Sequence, residues 1–245
     1  MSSSEIERLK AVRKYDNYNF NLNTGLEDIL ALAAEICETP VAFITLVDAD
    51  TQWFKVAHGL EVFQMPSNTS FCQYTIVDSD VMVVPDPTKD ERFANIPLVV
   101  NQPHIRFYAG APLATNEGYN IGTLCVFEDH SKNLSESKQQ MLGKLAKQAI
   151  HLMELELCLK LLGERAEHIE KQNTALREIA FTQSHEFRGP LSTVLGFMNI
   201  IKDNDYEDSK DYLIMMEEAV KKLDEKIHLV MKSTEMVNTV RELQY

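Results

Sequence analysis

A change of periodicity near residue 131 constrains this chain more than any other feature. Before it, short runs rich in Val, Ile, Phe and Thr lie at 41–47, 52–58, 81–84, 106–114 and 121–127. Turn residues separate them, as in Asp48-Ala49-Asp50, Pro85-Asp86-Pro87 and Asn116-Glu117-Gly118. Such β-branched and aromatic runs between turn residues read as strands. A helical stretch over about 24–37 precedes the first of them. The pattern predicts an α+β domain built on an antiparallel sheet.

After residue 135 there is no proline until Pro190, and the apolar residues move to helical spacing. Ser135 is placed to cap this helix, with Lys138 three residues on, so only half of a capping box is present. Leu152, Leu155, Leu159, Leu162, Ala166, Ile169, Asn173, Leu176, Ala180 and Gln183 follow one another in steps of three and four. That is the a/d seam of a coiled coil, narrower than the stripe of a helix lying on its own domain. A parallel homodimer is expected. Asn173 falls at an a position, where a buried amide pairs best with its symmetry mate and sets register. Residues 202–208 are polar and read as a turn, followed by a second helix. Its apolar face is Leu213, Met216, Ala219 or Val220, Leu223, Ile227, Val230, Thr234 and Val237. Two helices joined by a short loop make an antiparallel hairpin, and two hairpins pair into a dimeric four-helix bundle.

The 245 residues leave room for one large domain or two small ones at roughly 150 residues each. With 44% hydrophobic and 25% charged residues the chain is expected to fold rather than stay disordered. Asp and Glu total 37 against 24 Lys and Arg, a net charge of −13 that repels phosphate backbones and anionic lipid. Nucleic acid and membrane surfaces are therefore excluded as expected partners. The apolar runs fall far short of the ~20 residues needed to cross a bilayer, and the first residues lack the basic and apolar regions of a signal peptide. A cytoplasmic location follows as the expectation. Cys37, Cys72, Cys125 and Cys158 form no C-x-x-C pair, so packed, reduced thiols and no metal site are expected.

Five fragments carry a family resemblance. They are Ala42-Phe43-Ile44-Thr45-Leu46-Val47-Asp48, Gln52-Trp53-Phe54-Lys55, Ser70-Phe71-Cys72, Arg106-Phe107-Tyr108-Ala109-Gly110-Ala111-Pro112-Leu113 and Ile121-Gly122-Thr123-Leu124-Cys125-Val126-Phe127. In this order they resemble the GAF family of small-molecule sensor domains, over about residues 24–150. The resemblance implies a central antiparallel sheet, helices on one face that assist dimerisation, and a ligand cavity on the other. The ligand stays unknown: no Asn-Lys dipeptide begins a cyclic-nucleotide signature, and no Cys-His pair is present to anchor a linear tetrapyrrole. Trp53, Phe71, Cys72 and Tyr108 are candidates for lining the cavity, weighed against simple core packing, since aromatic clusters mostly fill interiors. Cys72 is a redox or adduct site if exposed beside positive charge, set against the reading of a buried free thiol.

One polar constellation has the spacing of chemistry, Ser184-His185-Glu186-Phe187-Arg188-Gly189-Pro190-Leu191. The heptad register puts His185 at an outward f position and returns Phe187 to the seam. Pro190 removes a helix hydrogen bond and is expected to kink the helix. A neutral imidazole carries a nucleophilic lone pair near neutral pH, and the adjacent Glu186 can take its other proton. Zinc of the His-Glu-x-x-His type is excluded, because Gly189 stands where the second histidine would be.

This segment resembles the dimerisation and histidine-phosphotransfer (HisKA) region of two-component sensor histidine kinases, over about residues 180–235. The resemblance implies His185 as phosphoacceptor, Glu186 as acid/base, and Arg188 and Pro190 in support. Gly189 departs from the Thr or Asn that many members carry there to position a hydrolytic water, so the resemblance does not extend to dephosphorylation of a response regulator. No Asn-rich box or Gly-rich lid of an ATP-binding domain follows, and neither Gly-x-x-x-x-Gly-Lys nor Gly-x-Gly-x-x-Gly occurs. ATP and magnesium are expected only through a separate catalytic domain, in trans or in a longer protein. The expected division is a sensor domain at 1–134 with its core at about 24–134, a signalling coiled coil at 135–179, and the phosphoacceptor hairpin at 180–245. The leading reading is a dimeric signalling protein that passes a phosphoryl group through His185 to a response-regulator aspartate. The alternative is a non-enzymatic dimeric GAF adaptor with a vestigial histidine.

Overall fold

A computed structural model of the chain describes residues 3–16, 20, 24–205 and 210–242, with side chains through Val230. Helices α1 (Ser3–Asp16) and α2 (Thr24–Cys37) precede strands β1 (Val41–Val47), β2 (Thr51–His58) and β3 (Gln64–Pro66). Then come α3 (Cys72–Thr75), β4 (Met82–Val84), α4 (Pro97–Val100), β5 (Phe107–Ala114) and β6 (Asn120–Glu128). The chain continues as α5 (Glu136–Asp203) and α6 (Lys210–Glu242). Two compact units result, Met1–Gly163 and Glu164–Tyr245. Among the described residues, no helix is long and apolar enough to cross a membrane.

The first unit is a six-stranded sheet in the order β3-β2-β1-β6-β5-β4, antiparallel at every pairing. Side chains alternate between its faces, because successive Cβ atoms of a strand point to opposite sides. Ala42, Ile44 and Leu46 of β1, Phe107, Ala109, Ala111 and Leu113 of β5, and Leu124 and Val126 of β6 point one way. Onto them pack Leu26, Leu30, Ala33, Ala34 and Cys37, the buried stripe of α2. Lys132 closes the end of α2 by donating to the Cys37 and Glu38 carbonyls at 2.9 and 2.6 Å.

Two further helices complete this core. In α1, Ala11, Val12 and Tyr15 pack into it, and Arg8 donates to the Val47 carbonyl at 2.7 Å. The sequence gives little sign of α1, whose few apolar residues are spaced among charges; the exposed sheet face stabilises it. The start of α5 adds Leu142, Ala146, Ala149, Ile150 and Met153. Their wide stripe is that of a helix lying on a sheet. The core therefore draws on residues on both sides of the 24–134 segment. Ser135 accepts from the Lys138 amide at 3.4 Å at the head of this helix. Strand β3, only three residues long and ending in Pro66, sits at the sheet edge, where a missing N–H does no harm.

In the second unit α5 runs through Pro190 as one helix, so the proline is carried within it rather than ending it. The Phe197 and Tyr212 rings lie 5.7 Å apart, and Lys226 pairs with Glu186 at 3.6 Å. These contacts make α6 antiparallel to the end of α5, a helical hairpin. The apolar positions of α6 divide. Ala219 is buried and Met216, Leu223 and Val230 half-buried, whereas Leu213, Val220 and Ile227 are exposed. One partner helix covers only one of two apolar rows. The expected positions Thr234 and Val237 lie outside the residues with described side chains, and 206–208 of the expected turn outside the described residues.

Leu124 is fully buried at the centre of the sheet, paired with Ile44. Leu124→Ala should lower unfolding free energy by about 3 kcal/mol, read as a shift of the urea midpoint at unchanged slope.

Candidate functional site

The sheet face turned away from α1, α2 and α5 carries Phe43, Val47, Tyr108, Cys125 and Phe127. Gln52 and Phe54 share this face, because they pair with Val47 and Thr45 across the β1–β2 ladder. The segments between strands cross it with Phe71, Cys72, Phe93, Leu98 and Ile105. Between sheet and segments lies a cavity of about 410 Å³, walled by Phe43, Phe54, Val62, Leu98, Ile105 and Phe127. Gln52, Ser70 and Cys72 are polar groups on its lining, with Glu128 and Asp129 also contributing. Apolar walls with a few convergent polar groups, at this size, suit a small organic molecule.

Gln52 is buried, and its Oε1 has no hydrogen-bond partner. A buried carbonyl oxygen without a donor costs about 1–3 kcal/mol, so a ligand donating a hydrogen bond would recover that cost.

Beneath the cavity is a compact polar cluster. The Phe71 ring stacks on Tyr108 at 4.8 Å and 12°. Tyr108 Oη lies 2.7 Å from Thr75 Oγ1 and donates to Cys72 Sγ at 3.7 Å. Thr123 Oγ1 donates to the same sulfur at 3.2 Å and lies 3.0 Å from Thr45 Oγ1. Cys125 Sγ is 3.9 Å from Cys72 Sγ, and its thiol also reaches the Phe43 carbonyl at 3.8 Å. Gly110 makes room for this arrangement: a Cβ there would stand 2.1 Å from Tyr108 Oη.

The cluster sets opposite proton affinities on neighbouring groups. Burial pushes the Cys72 thiol up, but hydrogen bonds from Cys125, Thr123, Tyr108 and Thr45 outweigh it and bring it down to about 7. Burial, and then the neighbouring sulfur, hold Cys125 well above the ordinary thiol value. Tyr108 is likewise held high, first by burial and then by the two cysteines. Cys37, at the end of α2 and buried in the helix-side core, is pushed up to about 11 by its burial.

Of the four residues proposed from the sequence, Phe71 and Cys72 line the cavity and Tyr108 lies directly beneath it. Trp53 sits across the sheet, paired with Leu46 and packed against the helix-side core. The adjacent Gln52 takes the cavity position, as alternation along β2 requires. The sequence reading did not single out Gln52, Thr123 or Cys125. The alternation was the available signal for Gln52, whereas the Cys72–Cys125 approach joins segments 53 residues apart.

In the second unit His185, Glu186 and Arg188 are exposed, and Phe187 and Pro190 half-buried. Glu186 pairs with Lys226, and the Gly189 carbonyl accepts from Thr193 Oγ1 at 3.1 Å. Asn173 is exposed, as are Leu155, Leu159, Leu162, Ile169 and Leu176 of the seam. Among the described residues, metal-ligating atoms converge at Glu128, Asp129 and His130, within 4.8 Å of one another on a largely exposed turn. Exposed acidic groups of this kind occur without an ion.

Sheet, helix layer and cavity together define a ligand-pocket type of α+β domain, and the GAF domain family model matches residues 21–151. The chain belongs to the GAF domain family. It is 45% identical over 122 residues to a cyclic di-GMP phosphodiesterase of Pseudomonas aeruginosa, covering 49% of this chain and 21% of that protein. It is 36% identical over 67 residues to the methanogenesis regulatory histidine kinase of Methanothrix harundinacea, covering 26% of this chain and 8% of that one. The chain thus spans only a minor part of the length of these curated relatives. The crystal structure of the GAF domain of an Acinetobacter phosphoenolpyruvate-protein phosphotransferase superposes with a TM-score of 0.47 at 16% identity, over 65% of this chain and 99% of that one.

Cys72 ionises below the ordinary 9.0 of a thiol. Its contribution to stability is therefore present above pH 9, and is lost as pH falls through about 7. Ultraviolet titration of thiolate absorbance should show a midpoint near 7 that Cys72→Ser abolishes. Thr123→Val, which deletes a donor to the sulfur, should raise that midpoint by roughly one pH unit.

Proposed function

We propose that this chain is the sensing and phosphoacceptor portion of a two-component signalling protein, acting as a parallel homodimer in the cytoplasm. The observation that carries the reading is the exposed His185, within its His-Glu-x-Arg-Gly-Pro-Leu motif, on a helix that begins in the GAF unit. Similarity to a protein named as a regulatory histidine kinase supports it.

In this reading His185 attacks the γ-phosphorus of ATP held by a separate catalytic domain. A nitrogen–phosphorus bond forms, the bond to the ADP oxygen breaks, and Glu186 accepts the imidazole proton. Lys226, 3.6 Å from Glu186, holds that carboxylate in place. The phosphoryl group then passes to an aspartate of a response-regulator receiver domain. A second copy would cover the exposed rows Leu155, Leu159, Leu162, Ile169 and Leu176 on α5 and Leu213, Val220 and Ile227 on α6. In the resulting coiled coil Asn173 faces its mate, and the second hairpin completes a four-helix bundle around the histidines. Under this reading the division is a GAF sensor, a signalling helix and a HisKA-type hairpin.

A second reading rests on the 45% identity, over 122 residues, to a protein not named as a histidine kinase. There the GAF dimer is a non-enzymatic adaptor and His185 is vestigial.

Incubation with radiolabelled ATP and an isolated histidine-kinase catalytic domain should place acid-labile label on the chain. His185→Ala should abolish it, and Glu186→Gln should slow it by roughly 10²-fold or more. Wild-type protein left unlabelled across several donor domains would favour the adaptor. Asn173→Leu should raise the thermal midpoint of the dimer while relaxing its register and strand number, read by melting and by sedimentation.

A further inference from the structure

Three features fall outside the proposed phosphotransfer: the Glu128-Asp129-His130 turn, the unpartnered Oε1 of Gln52, and the paired cysteines under the cavity. The last two converge. We propose that Cys72 and Cys125 form a peroxide-reactive dithiol whose substrate is a small organic hydroperoxide bound in the cavity.

The geometry distinguishes the two sulfurs. Both cysteines are buried from solvent, but Cys72 is part of the cavity lining, while Cys125 on β6 is not and lies behind it, the sulfurs 3.9 Å apart. A molecule in the cavity therefore meets Cys72, and Cys125 meets whatever forms on Cys72. Thr123 and Tyr108 direct hydroxyls at the Cys72 sulfur from 3.2 and 3.7 Å, the arrangement that stabilises a thiolate. Core packing alone explains a buried thiol, as at Cys37, which is held protonated by its burial. It does not explain hydroxyl donors converging on one sulfur with a second sulfur in contact. The exposed Cys158 lies outside this cluster.

The chemistry balances. The Cys72 thiolate attacks the terminal peroxide oxygen, so a sulfur–oxygen bond forms, the oxygen–oxygen bond breaks and the alkoxide leaves to take a proton. Cys125 then attacks the sulfur of this sulfenic acid, a disulfide forms, and the departing hydroxide leaves as water with the Cys125 proton. Each sulfur loses one electron and the peroxide gains two. A dithiol reductant restores the pair by thiol–disulfide exchange. Closing the sulfurs from 3.9 Å to the bonded separation of about 2 Å draws α3 toward β6 and moves Phe71, which also lines the cavity. Oxidation would thereby reshape the cavity wall.

The lining selects the oxidant. Phe43, Phe54, Val62, Leu98, Ile105 and Phe127 offer apolar contact that an organic hydroperoxide uses and hydrogen peroxide does not. The unpartnered Gln52 Oε1 on the same wall is an acceptor for the hydroperoxide O–H.

The test uses the full chain carrying Cys158→Ser, exposed at neutral pH to cumene hydroperoxide or hydrogen peroxide and mapped by non-reducing peptide mass spectrometry. The expected result is a Cys72–Cys125 cross-linked peptide lacking two hydrogens. It should form at least about tenfold faster with cumene hydroperoxide, and more slowly in Thr123→Val because the thiolate fraction falls. Cys125→Ser should stop at a sulfenic acid on Cys72 that dimedone traps. Free thiols at both positions after treatment would overturn the proposal. Equal rates with the two oxidants would overturn its substrate class, and dimedone label on Cys125 its assignment of roles. Should Cys125→Ser fail to fold, the cross-link and its rates in the Cys158→Ser protein decide the matter.

Discussion

The pairing of β1 with β6 is the constraint on which the rest of the first unit depends. Its register sets Ile44 opposite Leu124, Thr45 opposite Thr123 and Phe43 opposite Cys125. A slip of one residue would turn every one of these side chains to the other face. Gly122 lets the two strands approach closely at Leu46, since a Cβ there would stand 1.8 Å from the Thr45 carbonyl oxygen. From this ladder one face receives three helices and the other receives the cavity. The helix-side core and the sulfur–hydroxyl cluster are thus two consequences of one register.

The two faces differ in what they ask of their residues. On the helix side, burial of aliphatic groups suffices, and the side chains of β1, β5 and β6 there are apolar. On the cavity side, Thr45, Thr75, Tyr108, Thr123 and the two cysteines satisfy one another in a closed network. Gln52 is outside that network and keeps a free acceptor. A polar cluster of this kind is stable only when its members are paired. Gln52 Oε1, on the cavity lining and outside this network, is an acceptor that a ligand's donor could satisfy.

Helix α5 is read differently along its length. Its first turns bury a broad stripe against the sheet, while farther on the apolar residues narrow to the seam that includes Leu155 and Leu162. On α6 a similar division appears, with Met216, Ala219 and Leu223 toward the hairpin partner and Leu213, Val220 and Ile227 outward. Apolar rows at heptad spacing that one chain leaves exposed are the physical basis for proposing a second copy.

Local spacing determined much of this protein. The runs rich in Val, Ile, Phe and Thr located β1, β2, β4, β5 and β6, the span 24–37 is α2, and the steps of three and four predicted a long helix after residue 135. These follow from residue type between turns and from the helical period of 3.6, both of which a short window of sequence contains. Helix α1 and strand β3 were not legible in this way, because each is stabilised by a surface made of distant residues. The cavity-side choice of Gln52 over Trp53 depended on which face of β2 meets the helices. Only the tertiary structure could place Cys125 against Cys72, since 53 residues separate them and no local pattern records an approach made through strand pairing.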